Sequence, residues 1–144
     1  MYPGLVHAHS GLRWLALVLL LVAAFVAFRR WQGRDEFTEG NRKLYLYTFI
    51  MIHIQLTLGL ILYVISPKVN FSMLGEKLYR FYTVEHSVGM LVAITLITLG
   101  YIRAKRAAGP VNKHRTVFVF YTIGLILIVA SIPWPGRGVA AGLY

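Results

Sequence analysis

The chain has 144 residues, of which 58% are hydrophobic and only 14% are charged, and its mean hydropathy is +0.64. A soluble domain is about half apolar and about a quarter charged, so this composition excludes an ordinary soluble domain and indicates an integral membrane protein. The chain has no cysteine, which excludes disulfides, iron–sulfur clusters, thiolate-bound metals and covalent attachment of haem.

Four apolar segments of membrane-spanning length predict an all-α protein with four transmembrane helices, at residues 5–30, 42–65, 78–103 and 116–132, in a single domain over residues 1–144. Arg30 and Trp31 end the first segment, Pro67 stops the second, and Pro110 separates the third from the fourth. The first segment has no cationic region before it, so we expect a retained helix rather than a cleaved signal peptide.

The basic residues follow the ends of the apolar segments. Ten of the fifteen Lys and Arg residues lie in or beside the loops after the first and third segments, and five lie on the other side. Short loops rich in Lys and Arg stay in the cytoplasm, so the pattern predicts both termini on the extracytoplasmic side. Short connections favour an up-down-up-down bundle. The formal charge of +10 is then explained by topology and lipid headgroups, and no nucleic-acid partner is expected.

Ionisable side chains at the start of the third segment are the strongest functional signal. Arg80, Glu85 and His86 precede a long apolar run, where charged groups are costly unless they have a function. Gly89 lies one helical turn after His86 and would let a flat group approach the backbone. His9 and Arg13 share a face of the first segment, and His53 lies deep in the second.

A b-type haem fits these residues. It requires two imidazoles from different helices, a slot lined by small groups, and cations near its propionates. We predict His86 as one ligand of the haem iron and leave its partner open between His53 and His9. Arg13 and Arg80 are the candidates for the propionates, and Gly89 for the slot. The sequence contains no hydrolytic constellation, so no catalytic residue is predicted.

Two other hypotheses use the same chain. His7, His9, Glu85 and His86 would form a non-haem metal site if the N-terminal segment were extended, because histidines two residues apart point to different sides of a helix. Alternatively, the chain is a cofactor-free accessory subunit of a larger redox or photosynthetic assembly. His114, between Lys113 and Arg115, is interpreted as a solvated histidine at the cytoplasmic rim.

Four motifs occur in order along the chain: His7-x-His9-x-x-x-Arg13-Trp14, His53-x-Gln55, Arg80-x-x-x-x-Glu85-His86 and Ile132-Pro133-Trp134-Pro135. In this combination the chain resembles small bacterial four-helix membrane proteins known as "cytochrome B". The resemblance covers nearly the whole chain. It implies haem b and electron transfer in a bacterial inner (cytoplasmic) membrane, with quinone or a respiratory or photosynthetic complex as partner. Carried over residue by residue, it implies His9, His53 and His86 as ligand candidates, with Arg13 and Arg80 beside the propionates.

Overall fold

The computed structural model describes residues 1–139. Over these residues the chain forms four long helices and no strand: α1 (Tyr2–Gly33), α2 (Glu39–Ile65), α3 (Lys77–Arg106) and α4 (Pro110–Ser131). A short 3₁₀ turn, Phe71–Met73, lies in the connection between α2 and α3. All four helices are long and apolar enough to cross a membrane. The predicted all-α class, with four helices long and apolar enough to cross a membrane, is therefore confirmed over these residues.

Local capping explains where the helices begin. Thr38 and Asn41 cap α2 reciprocally: the Asn41 N–H donates to the Thr38 hydroxyl at 3.2 Å, and the Thr38 N–H donates to the Asn41 side-chain oxygen at 3.1 Å. This arrangement satisfies two backbone donors that a helix start otherwise leaves unpaired. As a result, α2 begins at Glu39, three residues before the predicted start.

The fourth helix begins six residues earlier than predicted. Pro110 occupies its first turn, where the missing N–H costs nothing and the fixed φ suits a helix. Gly109 precedes it with φ 77°, a left-handed conformation that glycine adopts readily. The earlier start places His114 inside α4 rather than in the loop before it.

The prediction for His114 was wrong. Its side chain is 0% exposed, so it is not a solvated rim residue. The Tyr45 hydroxyl lies 2.9 Å from Nδ1, and Nε2 lies 3.3 Å from the Glu36 carbonyl oxygen. Because a carbonyl only accepts, Nε2 carries the proton and Nδ1 accepts from Tyr45. His114 therefore joins α4, α2 and the α1–α2 connection.

Extensive packing runs from α1 to α2, α2 to α3, α3 to α4 and α4 back to α1. This ring places α1 and α3 at opposite corners of the bundle. Small residues let neighbouring helices approach closely: a Cβ at Gly100 would overlap the Phe120 Cβ, and a Cβ at Gly124 would lie 2.5 Å from Ile97 Cγ1. Small residues at helix–helix contacts are typical of membrane proteins, where packing replaces the hydrophobic driving force.

The outward faces are apolar, as expected for contact with lipid. On α1, Leu21 is 58% exposed and Phe25 is 61% exposed, and both lie on a face that continues through Leu15 and Val18. A soluble protein rarely leaves such a continuous apolar surface in water. The core opposite this face is built largely from alanine, at positions 16, 23, 24 and 27 of the same helix.

Candidate functional site

A cavity of about 340 Å³ lies inside the bundle, bounded mainly by α1, α2 and α3. This volume falls within the usual range of ligand-binding cavities. Its lining includes the apolar side chains of Leu56, Met90, Leu91, Ile94 and Ile128. His9, Arg13, Gln55, Lys68 and His86 also line the cavity and supply its functional groups. An apolar cavity with a few convergent polar groups is the usual form of a ligand site.

The His86 imidazole is held by a backbone hydrogen bond. Its Nδ1 lies 2.8 Å from the carbonyl oxygen of Ser131, at the end of α4. Because the carbonyl only accepts, Nδ1 carries the proton and Nε2 keeps its lone pair. A histidine fixed in this way through its second nitrogen is the usual arrangement of a metal-binding imidazole. His86 is thus oriented by α4 and not by Glu85.

A π-helical turn, Phe81–Glu85, immediately precedes His86 within α3. The His86 N–H donates to the Phe81 carbonyl, five residues earlier, instead of the usual four. The carbonyl of Thr83, within this turn, accepts from the Tyr63 hydroxyl at 3.0 Å and from the Ser87 hydroxyl at 2.8 Å. Single π turns inside α-helices occur frequently at functional sites. Here the extra residue sets which side chains of α3 face the cavity.

His9 lies across the bundle from His86, on α1. Its Nδ1 is buried and has no hydrogen-bond partner among the described residues. Gly59 of α2 leaves room for this ring, since a Cβ there would lie 3.2 Å from His9 Cε1. The Gln55 side-chain amide donates to the His9 carbonyl oxygen at 2.7 Å, which ties α1 to α2 at this level. A buried imidazole without a partner, in a space kept free by a glycine, suits a ligand that is not part of the chain.

Two cations line the cavity. The Arg13 Nε is buried and has no hydrogen-bond partner within residues 1–139. Lys68, in the connection after α2, is half-buried, and its Nζ lies 5.0 Å from the centre of the Tyr82 ring. Burial lowers the pKa of the Lys68 amine, because leaving water disfavours its charged form. The cavity therefore carries positive charge next to its two imidazoles.

The structure places His53 elsewhere. Its Nδ1 lies 2.7 Å from the Phe49 carbonyl oxygen, and its Nε2 lies 3.1 Å from the Thr98 hydroxyl on α3. Both nitrogens are thus engaged within the protein, and His53 is not among the residues that line the cavity. Its ring also packs on Phe49, with 4.1 Å between ring centres. These contacts give His53 a role in joining α2 to α3.

Arg80 and Gly89 also lie outside the cavity lining. The Arg80 Nε donates to the Glu85 carboxylate at 3.0 Å, and both side chains are about half exposed. Gly89 faces α4, where a Cβ would overlap the Ser131 Oγ. Of the predicted site residues, His9, Arg13 and His86 line the cavity, whereas His53, Arg80 and Gly89 do not.

The non-haem metal hypothesis required an extended N-terminal segment. Instead, α1 is helical from Tyr2, so His7 is exposed while His9 faces the cavity. Over residues 1–139, no three His, Asp or Glu side chains are grouped so that they could hold a metal ion. The described geometry therefore gives the four-residue metal site no support.

Sequence reasoning missed two residues of the cavity. Gln55 is the first: its side chain points to α1, and its Oε1 is buried without a partner among the described residues. Lys68 is the second. The only local signal was a single lysine directly after the Ser66-Pro67 helix stop, and that pattern is equally typical of an interfacial cation.

Comparisons with protein-family models, with curated proteins and with solved structures find no match to this chain. The resemblance to "cytochrome B" proteins therefore stays a prediction. The geometry of the cavity and its lining residues is the basis for a proposed function.

Proposed function

We propose that the chain binds haem b between His9 and His86 and transfers electrons in the membrane. The observation that carries this proposal is that two histidines from opposite corners of the bundle line one cavity, with the proton of His86 held on Nδ1 by the Ser131 carbonyl. Two imidazoles from different helices would hold the haem iron. Bound haem iron would supply one-electron chemistry.

Each residue of the cavity has a definite role in this proposal. His86 offers Nε2 to the iron, since its Nδ1 proton is already committed to α4. His9 would be the second ligand, and Gly59 leaves room for its ring. Arg13 would supply charge for a propionate. The apolar side chains of the cavity would accommodate the porphyrin ring.

The proposal extends to the membrane and the partners. We place the chain in a bacterial inner membrane as an up-down-up-down bundle with both termini extracytoplasmic. The Tyr2 hydroxyl, at the start of α1, lies 3.1 Å from the Ser66 hydroxyl after α2, which supports antiparallel neighbours. Quinone or a larger respiratory or photosynthetic complex would exchange electrons with the site. Mild extraction of native membranes, followed by identification of co-purifying chains and quinone, tests this extension.

The topology can be tested by labelling, because the chain has no cysteine of its own. Gly75→Cys lies in the connection between α2 and α3, and Ala108→Cys lies between α3 and α4. In spheroplasts we expect a membrane-impermeant maleimide to label residue 75 at once and residue 108 only after lysis, because the loops with most of the basic residues face the cytoplasm. The reverse pattern would contradict the orientation.

The haem proposal is tested on protein purified in mild detergent from cells supplied with haem. We expect an α-band in the reduced-minus-oxidised spectrum, equimolar haem, and iron as the metal found by elemental assay of the same sample. A folded protein with no α-band would refute haem binding. If other chains co-purify with such a protein, the cofactor-free accessory subunit becomes the better explanation.

A further inference from the structure

The cavity holds two positive charges that no carboxylate of the described chain balances. Arg13 and Lys68 both line it, and neither belongs to the ion pairs found within residues 1–139, which join Arg30 to Asp35, Arg42 to Glu39, and Arg80 to Glu85. Placing charged groups in an apolar site without counter-charges is costly. Their presence therefore indicates that a group outside the described residues supplies negative charge.

None of the Asp and Glu side chains in the described part of the chain is placed to balance these two charges. Three of the five carboxylates, at residues 35, 36 and 39, lie at the far end of α1 or the start of α2. Glu76 is exposed in the connection before α3, and Glu85 is paired with Arg80. Neither Glu76 nor Glu85 lines the cavity. The site that contains His9 and His86 thus has a net positive charge.

The two cations approach the cavity from different elements. Arg13 lies one helical turn after His9 on α1, and its Cζ lies 5.1 Å from the centre of the Trp14 ring. Lys68 comes from the connection after α2, and its Nζ lies over the Tyr82 ring. Arg13 and Lys68 both line the cavity. One cavity therefore receives a cation from each of two elements.

We propose that the cavity is built for an amphipathic ligand with two carboxylates, and that Arg13 and Lys68, rather than Arg80, are the residues that bind them. This inference rests on the proposed function, in which the two carboxylates are the propionates of haem b. Arg13 can form two parallel hydrogen bonds to a carboxylate, whereas Lys68 acts as a point charge. The apolar side chains of the cavity then accommodate the body of the ligand.

The test compares haemin with its dimethyl ester, in which both propionates are converted to uncharged methyl esters. Protein produced without added haem is purified in an uncharged maltoside detergent at low salt, and each probe is titrated while the Soret band is recorded. We expect the wild-type protein to bind haemin about tenfold or more tightly than the ester. Arg13→Gln and Lys68→Gln should each lower the affinity for haemin by about tenfold and leave the affinity for the ester unchanged. Lys68→Arg, which keeps the positive charge, should bind haemin as tightly as the wild type does.

Lys77→Gln is the matched control, because Lys77 is an exposed lysine in the first turn of α3 and does not line the cavity. It should bind haemin as the wild type does. Helix content and gel-filtration behaviour establish that each variant is folded. Equal wild-type affinity for haemin and ester, or unchanged haemin affinity in both Gln variants, would overturn this inference while leaving haem binding intact. Failure of the folded wild-type protein to bind either probe would instead overturn the proposed function.

Discussion

Replacement of either His86 or His9 by alanine is expected to reduce haem content to background, whereas His53→Ala should retain most of the haem. Each of the first two changes removes an imidazole from the cavity. The third removes a ring whose two nitrogens are already engaged with Phe49 and Thr98. The measurement is the haem-to-protein ratio, from the pyridine haemochrome, in protein purified in mild detergent.

His7→Ala is the control, since His7 lies on the same helix as His9 but is exposed. It should keep the wild-type ratio. Full haem content in a folded His86→Ala protein would refute the assignment of that ligand. Loss of haem in His53→Ala together with full retention in His9→Ala would identify His53 as the partner and show that the cavity rearranges on binding.

Gly100→Ala is expected to destabilise the bundle by about 1–3 kcal/mol, because the added methyl group overpacks a tight contact. A Cβ at this position would overlap the Phe120 Cβ, which is fixed to the backbone of α4 and cannot turn away. Alanine favours a helix over glycine by only about 0.5–1 kcal/mol, so steric overlap outweighs helix propensity. Thermal unfolding in detergent, followed by circular dichroism, measures the change.

The same substitution at Gly11 serves as its comparison. A Cβ there meets no atom within 4 Å, and the residue is exposed on α1. Gly11→Ala should therefore unfold at the wild-type temperature or slightly above it. Equal stability of the two variants would show that α3 and α4 do not pack as closely as described. If Gly100→Ala decreases both the haem content and the stability, the α3–α4 contact is further linked to His86, which is held by α4.

The helices were predictable because their signals are local. Length and apolar composition define a membrane span, and proline and basic residues mark its ends. The predicted starts of α2 and α4 were wrong because a few residues before each apolar segment determine where the helix begins. The capping pair Thr38 and Asn41 extended α2, and Pro110 began α4 early enough to bury His114. A basic triplet is typical of a solvated segment, yet the helix turns His114 inward. Lys113 donates to the carbonyl oxygens of Ala104 and Lys105, and Arg115 is exposed.

By itself, the sequence determined the all-α class, the four helices long and apolar enough to cross a membrane, and the short list of histidines and cations from which a site could be built. Only the tertiary structure decided which of them meet. The position of a residue along a helix does not reveal which neighbouring helix its side chain faces. In the sequence, His9 and His53 were therefore equally plausible partners for His86. Packing settled their positions: Thr98 engages His53, whereas Gly59 leaves space for His9 in the cavity that His86 also lines. Lys68 joined the site for the same reason, because the connection after α2 folds back over the cavity.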